Sequence, residues 1–350
     1  MNAESFLAEL ARIKSLSREE SAAADFVFDA IHSWGYAPQR RGNNVWFTVG
    51  KGDPHLLFNS HLDTVPPCEG WEIDPWAGEW IDGKLTALGA NDAKGCGTAM
   101  LFAARSLAES TSGRVTVLLV AEEEIGGPGG IGPLLPELGS FDAGVVGEPT
   151  GLNVCTAQRG MLLLRCVAHG ISGHVAHSQI GDNAIHKAAR DIGRLAAMEF
   201  PPDPILGQTR AQVTTIQGGL QRNQIPDRCE FFVDFRTTPA LDHNELTARL
   251  RDELETEMIV HSERYLPCSV AVDHAVTRAA LAASPNPEPV GSATVSDWAF
   301  FGSIPAVKVG PGDTLRSHTA NEFLTADELR AGVAFYAKLA ENYFQEASRG

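Results

Sequence analysis

A chain of 350 residues with 43% hydrophobic and 21% charged residues has an ordinary globular composition, and its length exceeds what one core usually organises, so two domains are expected. The formal net charge of -16 excludes nucleic acid as a partner, because the phosphates would be repelled. The six cysteines form no Cys-x-x-Cys pair and no run of about eighteen apolar residues occurs, which predicts reduced thiols, a cytoplasmic location and no membrane span.

Taken in order, the amino terminus sets Phe6, Leu10 and Ile13 at helical spacing interrupted by charge, an amphipathic helix and not a signal peptide. A serine cap at Ser17 predicts a second helix over 17–36, closed by Gly35. Residues 43–49 alternate as a strand, and a Gly/Asp/Pro turn leads into the apolar run that ends in His61. That run reads as a buried strand with His61 at its carboxyl end, where ligands collect in open α/β sheets. Asp63, two residues on, is placed to accept the imidazole N–H and leave the other ring nitrogen for a metal. A plain turn is the commoner meaning of His-x-Asp, so the remaining ligands have to come from elsewhere.

The run 85–89 is followed by Asn91-Asp92 and a helix over 98–107, so helix capping is the structural alternative for Asp92. Residues 114–121 form a fully apolar strand, the mark of a parallel sheet covered on both faces. It ends in Glu122, Glu123 and Glu124, which repel one another unless something positive lies between them. The glycine loop that follows contains a formal G-x-G-x-x-G, with Glu148 about twenty residues on, as in a dinucleotide site. Three acids facing a pyrophosphate, and a donor lost at Pro128, argue against that use. The strand 143–147 also ends in an acid, Glu148. His61, Asp92, the acidic triplet and Glu148 are therefore expected at strand ends along one sheet edge.

From residue 158 the pattern changes to strand 162–168, helix 183–197, strands 212–216 and 230–236, helix 242–258 and a last strand near 269–272. This order predicts an inserted α+β layer of the ferredoxin-like kind. A helix over 275–283, a return strand over 305–309 and a closing helix over 326–345 complete the chain. The return strand leads through Gly310 to His318, which completes the ligand count. The division expected is a catalytic, metal-binding domain of 1–159 and 274–350 with an inserted lid and dimerisation domain of 160–273. Two histidines and three carboxylates from strand ends suit two adjacent divalent ions, which lower the pKa of a shared water and polarise a carbonyl. One further carboxylate then serves as base, a combination suited to amide hydrolysis.

The stretches His61-Leu62-Asp63, Asn91-Asp92, Glu123-Glu124-Ile125-Gly126, Gly147-Glu148-Pro149-Thr150, Gly173-His174 and Ser317-His318-Thr319 resemble, in this order, the dinuclear zinc aminoacylase and carboxypeptidase family. The resemblance implies a zinc-peptidase-like α/β fold with a mostly parallel sheet and helices on both faces. It implies that His61 and Glu148 hold one metal, Glu124 and His318 the other, with Asp92 bridging, and that the ions are zinc, with cobalt as the alternative. Asp63 would orient His61, and Glu123 would be the general base that passes a proton from the attacking water to the leaving amine. Where the family has Asp before the base, this chain has Glu122, which is given no catalytic role. His174 would donate to the developing oxyanion across a homodimer formed by the inserted domain. Asn223, Arg236 and Gly310 would bind substrate, Arg236 by a bidentate clamp on an α-carboxylate, unless it merely pairs with Asp234 or Asp242.

Residues 42–46, 292–301, 310–313 and 316–323 most resemble the short acetylornithine deacetylases, which implies hydrolysis of N2-acetylornithine in arginine biosynthesis. Acetylcitrulline, succinylornithine and acyl-lysine are neighbouring substrates, since one methylene carries only about 1–3 kcal/mol of selectivity. A dipeptidase or carboxypeptidase is the second reading. A nucleotide-binding oxidoreductase built on the glycine loop and a metal-dead binding module are the readings from other classes.

Overall fold

The computed structural model of the protein describes residues 1–110 and 112–347. The chain divides into two compact units, one of Met1–Thr156, Val270–Val290 and Ser296–Gly350, the other of Ala157–Ser269 and Gly291–Val295.

The first unit is built on a mixed sheet. Its central strands, Gly113–Val120, His55–His61, Ala143–Val146 and Ala306–Lys308, lie side by side and run parallel. Asn44–Lys51 and Gln39–Arg41 extend the sheet antiparallel beyond Gly113–Val120. The central strands are mostly apolar because both faces are covered, and Leu56 and Leu57, pointing opposite ways, are both fully buried. On the Leu56 face lie the helices Lys94–Ser106 and Ala326–Ala347, and Phe58 there meets Tyr336 with ring centroids 5.5 Å apart. The Leu57 face is covered by short segments, the helix Ile131–Leu134 and the 3-10 turn Asp297–Phe300. Gly132 lies against the Phe300 ring, and Gly144, opposite Leu57 in register, leaves room for Phe301. Parallel strands finish at one edge, so His61, the acids after Val120, Glu148 and the segment after Lys308 all emerge there.

Two expectations for this unit need correction. The second helix is Ser21–Ser33 and starts from Glu20 with no side-chain cap, because the Ser17 hydroxyl is spent on Asp63 at 2.7 Å. The segment before Asp92 is not a central strand: Lys84–Thr86 belongs to a separate three-stranded sheet with Trp80–Ile81 and Phe323–Thr325. Asp92 instead arrives on the turn ahead of Lys94–Ser106, whose cap position is Ala93, so Asp92 does not cap that helix.

In the second unit the elements Gly160–His169, Ala184–Ala197, Arg210–Gly218, Arg228–Thr237, His243–Glu253 and Glu257–Tyr265 follow the β-α-β-β-α-β order. The strands form an antiparallel sheet with Arg210–Gly218 and Glu257–Tyr265 at its edges. Leu162, Phe231 and Phe235 on one face share a core with Ala188, Leu246 and Leu250 of the two helices. The helix expected to reach residue 258 stops at Glu253, and the fourth strand is Glu257–Tyr265, not 269–272. The buried Asp191 carboxylate ends that helix by accepting the N–H groups of Glu255 and Thr256, each at 2.9 Å. No helix among the described residues is long and apolar enough to cross a membrane.

Candidate active site

His61 closes its strand with a side chain that is 1% exposed, and its Nε2 lies 3.4 Å from Asp92 Oδ1 and 3.9 Å from Glu148 Oε1. Its Nδ1 stands 2.9 Å from the main-chain carbonyl of Asp63 and 3.5 Å from Asp63 Oδ1. The carbonyl is thus the nearer acceptor, where the sequence reading expects the carboxylate. With Nδ1–H given to that carbonyl, Nε2 carries the lone pair and faces the acids. The Asp63 carboxylate is engaged elsewhere: it accepts the backbone N–H groups of Glu123 and Glu124, each at 3.1 Å, and the Ser17 hydroxyl. It therefore fixes the main chain that carries the two acids.

On the other side His318 Nε2 lies 3.0 Å from Glu124 Oε2 and 3.7 Å from Asp92 Oδ2. Asp92 thus turns one oxygen toward each histidine, the disposition of a bridging carboxylate. Two groups, His61 with Glu123 and Glu148, and His61 with Asp92 and Glu124, have donor atoms within 4.8 Å of one another. Either acid of the pair Glu123-Glu124 is within reach of a cation, but His318 approaches Glu124. Among the described residues no hydrogen bond holds the Glu123 carboxylate.

The electrostatics state what the cluster lacks. Burial, reinforced by Glu148, pushes the Glu123 carboxyl well above the usual carboxylate range. Burial raises Glu148 to about 8 in spite of Lys308 nearby. The bond to Glu124 lifts His318 to about 9. Burial also works against ionised Asp92, yet its bonds to His61 hold it low. Glu123 and Glu148 thus retain protons unless positive charge is supplied, and N and O donors at this spacing suit a pair of divalent cations.

Three residues that sequence reading left without a role belong to this site. Glu322 is buried, and its Oε1 accepts the N–H groups of both Asn91 and Asp92 at 2.9 Å. The Asn91 side chain accepts from Asp313 N–H at 2.9 Å and donates to the Asp313 carbonyl at 3.0 Å. Asp297 is buried on the Leu57 face, where burial raises it to about 7, and the Asn59 amide, turned to suit both neighbours, donates to it at 3.2 Å. The legible signal for Asp297 is the polar Asn59 inside an apolar strand. For Glu322 it is an acid that opens the short apolar strand Phe323–Thr325.

Other expected residues have other surroundings. Gly310 donates its N–H to Thr150 Oγ1 at 3.2 Å, and its carbonyl accepts the N–H groups of Thr150 and Leu152. A Cβ there would meet Cys96 Sγ at 2.6 Å and Glu148 O at 2.7 Å, so close packing behind Glu148 accounts for this glycine, and its polar groups are not free for a ligand. Glu122, at φ +56, lays its carboxylate into the glycine loop, where Gly129 N–H donates to it at 3.3 Å. A Cβ at Gly127 or Gly129 would overlap that carboxylate, so the formal dinucleotide fingerprint encloses an acid of its own chain. In the second unit, His174 lies on the short strand Gly173–His174, paired with Gln224–Ile225, and Asn223 O accepts from Val175 N–H at 3.2 Å. Arg236 Nε is 2.8 Å from Asp234 Oδ1, the pairing weighed as its structural alternative.

The sequence model of peptidase family M20/M25/M40 matches residues 57–342. Among solved structures the chain is similar to an M20 family metallo-carboxypeptidase from Sulfolobus solfataricus, with 18% identity, TM-score 0.78, and 99% of this chain and 100% of that one covered. It is similar to a tripeptidase from Staphylococcus aureus at 21% identity and TM-score 0.79, with 98% of both chains covered. It is also similar to the YxeP protein of Bacillus subtilis, described as a dinuclear metal-binding peptidase, at 17% identity and TM-score 0.72, with 97% and 96% covered.

Proposed function

We propose that this chain, which belongs to peptidase family M20/M25/M40 and is a metal-dependent hydrolase of amide bonds, removes the acetyl group of N2-acetylornithine to give ornithine and acetate. The observation that carries the reading is the convergence of His61, Asp92, Glu123, Glu124, Glu148 and His318 at one edge of the first unit's sheet. Two divalent cations, zinc or cobalt, held by His61 and Glu148, by Glu124 and His318, and shared by Asp92, would supply Lewis acidity to the scissile carbonyl and acidify a water. Glu123, with its carboxylate unbonded, takes the proton of the attacking water and returns it to the leaving nitrogen. Asp63 holds Glu123 in place through the backbone.

The finer choice of substrate rests on the resemblance of residues 42–46, 292–301, 310–313 and 316–323 to short acetylornithine deacetylases. His174 as an oxyanion donor and Asn223 and Arg236 as substrate-binding groups rest on the same ground. An Arg236 that binds a carboxylate exchanges Asp234 for it. A homodimer through the inserted unit is supported by the edge strand Arg210–Gly218, which from residue 211 to 218 has neither charge nor proline to blunt it. The second reading, a dipeptidase or carboxypeptidase, is favoured by the similar structures above that are named as peptidases. Turnover of acetyl, succinyl and formyl derivatives of ornithine, citrulline and lysine, beside a dipeptide panel and with added zinc or cobalt, separates these readings. Acetylornithine at the head of the series is expected; a dipeptide at its head overturns the deacetylase.

A further inference from the structure

Asp92 and His318 arrive on different turns of the first unit, and neither turn is part of the central sheet that presents His61 and Glu148. Something must hold these two turns in mutual register, because their side chains have to face one another to within a few tenths of an ångström. The structure assigns this task to Glu322 and Asn91: together they clasp the Asp92 turn to the His318 turn, and so act as positioning residues for the cation on the His318 side. The inference rests on the reading that the cluster holds two cations.

The clasp has two halves. Glu322 lies four residues after His318, and one of its oxygens takes the N–H groups of Asn91 and Asp92, each at 2.9 Å. Its own carbonyl accepts Ala87 N–H at 3.1 Å, so the residue is tied to the Asp92 side through both its side chain and its main chain. Asn91 reaches the other way: its amide exchanges two hydrogen bonds with the Asp313 main chain and lies 3.5 Å from Ser317 Oγ. The bonds to Asp313 and Ser317 fall before His318, and the bonds from Glu322 fall after it. His318 at φ +59 and Asn321 at φ +57 both sit in the left-handed region, a conformation that persists in non-glycine residues only when the surroundings enforce it.

Glu322 is 2% exposed and Asn91 fully buried, so water does not stand in for a lost partner. The two cations depend on the clasp unequally. The His61 side draws His61 and Glu148 from ends of the central sheet and needs only Asp92 from the clasped turns. The His318 side needs Asp92 and His318 together. Loosening the clasp therefore weakens the second site more than the first.

The test is cobalt(II) titration of the metal-free protein, followed by visible absorption and by competition with a chelator, on Glu322→Ala, Glu322→Gln and Asn91→Ala. Loss of groups behind metal ligands typically lowers affinity about 10- to 100-fold. The second cobalt of Glu322→Ala is expected to weaken by that factor while the first stays within about threefold, a split that follows from the unequal dependence. Glu322→Gln keeps an oxygen for both N–H groups and should restore the second site. Asn91→Ala should weaken the same ion, and this variant decides the matter if Glu322→Ala fails to fold. Equal weakening of both ions, unchanged affinities, or a Glu322→Gln protein as defective as Glu322→Ala overturns the clasp. A parent protein that takes up fewer than two cobalt ions overturns the two-cation reading itself, which is a separate and recognisable result.

Discussion

Replacing Asp63 by Asn separates two ways in which this residue serves the site. If its carboxylate works through the His61 imidazole, the amide should disturb that histidine and its cation. If it works through the main chain of Glu123 and Glu124, as the 3.1 Å bonds indicate, the amide disturbs Glu123, the proposed base. Asn keeps one oxygen for one backbone N–H and sets an NH2 group against the other, with the Ser17 hydroxyl free to turn and accept. One bond to a charged acceptor is lost, worth about 1.5–3 kcal/mol, and one buried N–H is left unpaired, worth about 1–3 kcal/mol. Asp63 is wholly buried, so solvent offers no compensation. The combined loss of about 2.5–6 kcal/mol corresponds to a melting midpoint lower by roughly 5–12 °C. Turnover should fall about 100-fold, the usual effect of displacing a reacting group by about an ångström. Both cobalt ions should remain, because the Asp63 carbonyl still receives the His61 N–H. Differential scanning calorimetry, cobalt titration and kcat on one preparation give all three numbers. Loss of the first cobalt with an unmoved midpoint refutes the main-chain role.

Glu123→Gln should retain both metals and lose about 100- to 10,000-fold in kcat; parallel loss of an ion would make it a ligand, which its nearness to His61 and Glu148 permits. Ile216, 52% exposed on the edge strand, when replaced by Lys should convert the proposed dimer to a monomer in sedimentation equilibrium, and an unchanged mass refutes a dimer built on this edge. Burial holds His243 below its ordinary 6.5, with Thr237 Oγ1 at 2.8 Å from its Nε2. Well above pH 6.5 the ring is neutral in both folded and unfolded chains and contributes nothing to the pH dependence; as pH falls toward and below 6.5 the unfolded chain takes up a proton that the folded ring resists, and stability falls. His243→Gln should therefore show a shallower loss of urea midpoint between about pH 7 and pH 5 than the parent, and parallel curves would rule this group out.

The sequence made the catalytic side of the fold legible because parallel strands are apolar runs that end in polar residues. His61 and Glu148 stand where those runs stop. Asp92 follows a different logic: the apolar run before it belongs to another sheet, and only its turn brings it to the cluster. The second helix starts later, and the helix after Asp242 ends sooner, than local pattern predicts, for the same physical cause. In both cases a remote buried carboxylate, Asp63 or Asp191, takes polar groups that local pattern assigns to the helix. Glu322 and Asn91 bind mainly main-chain atoms brought near by folding, and residue spacing does not report such partners.

The loop around Glu122 makes three positions behave as one. The side chain there is one methylene longer than Asp, and the space it fills is the space that Gly127 and Gly129 leave vacant. Gly127→Ala alone drives a methyl into a carboxylate immediately before the two acids of the site. Shortening Glu122 to Asp in the same chain withdraws that carboxylate, so the double substitution should be milder than the sum of its parts. Within this segment, tolerance to change is therefore set by pairs, and a single substitution at either glycine overstates how rigid the position is.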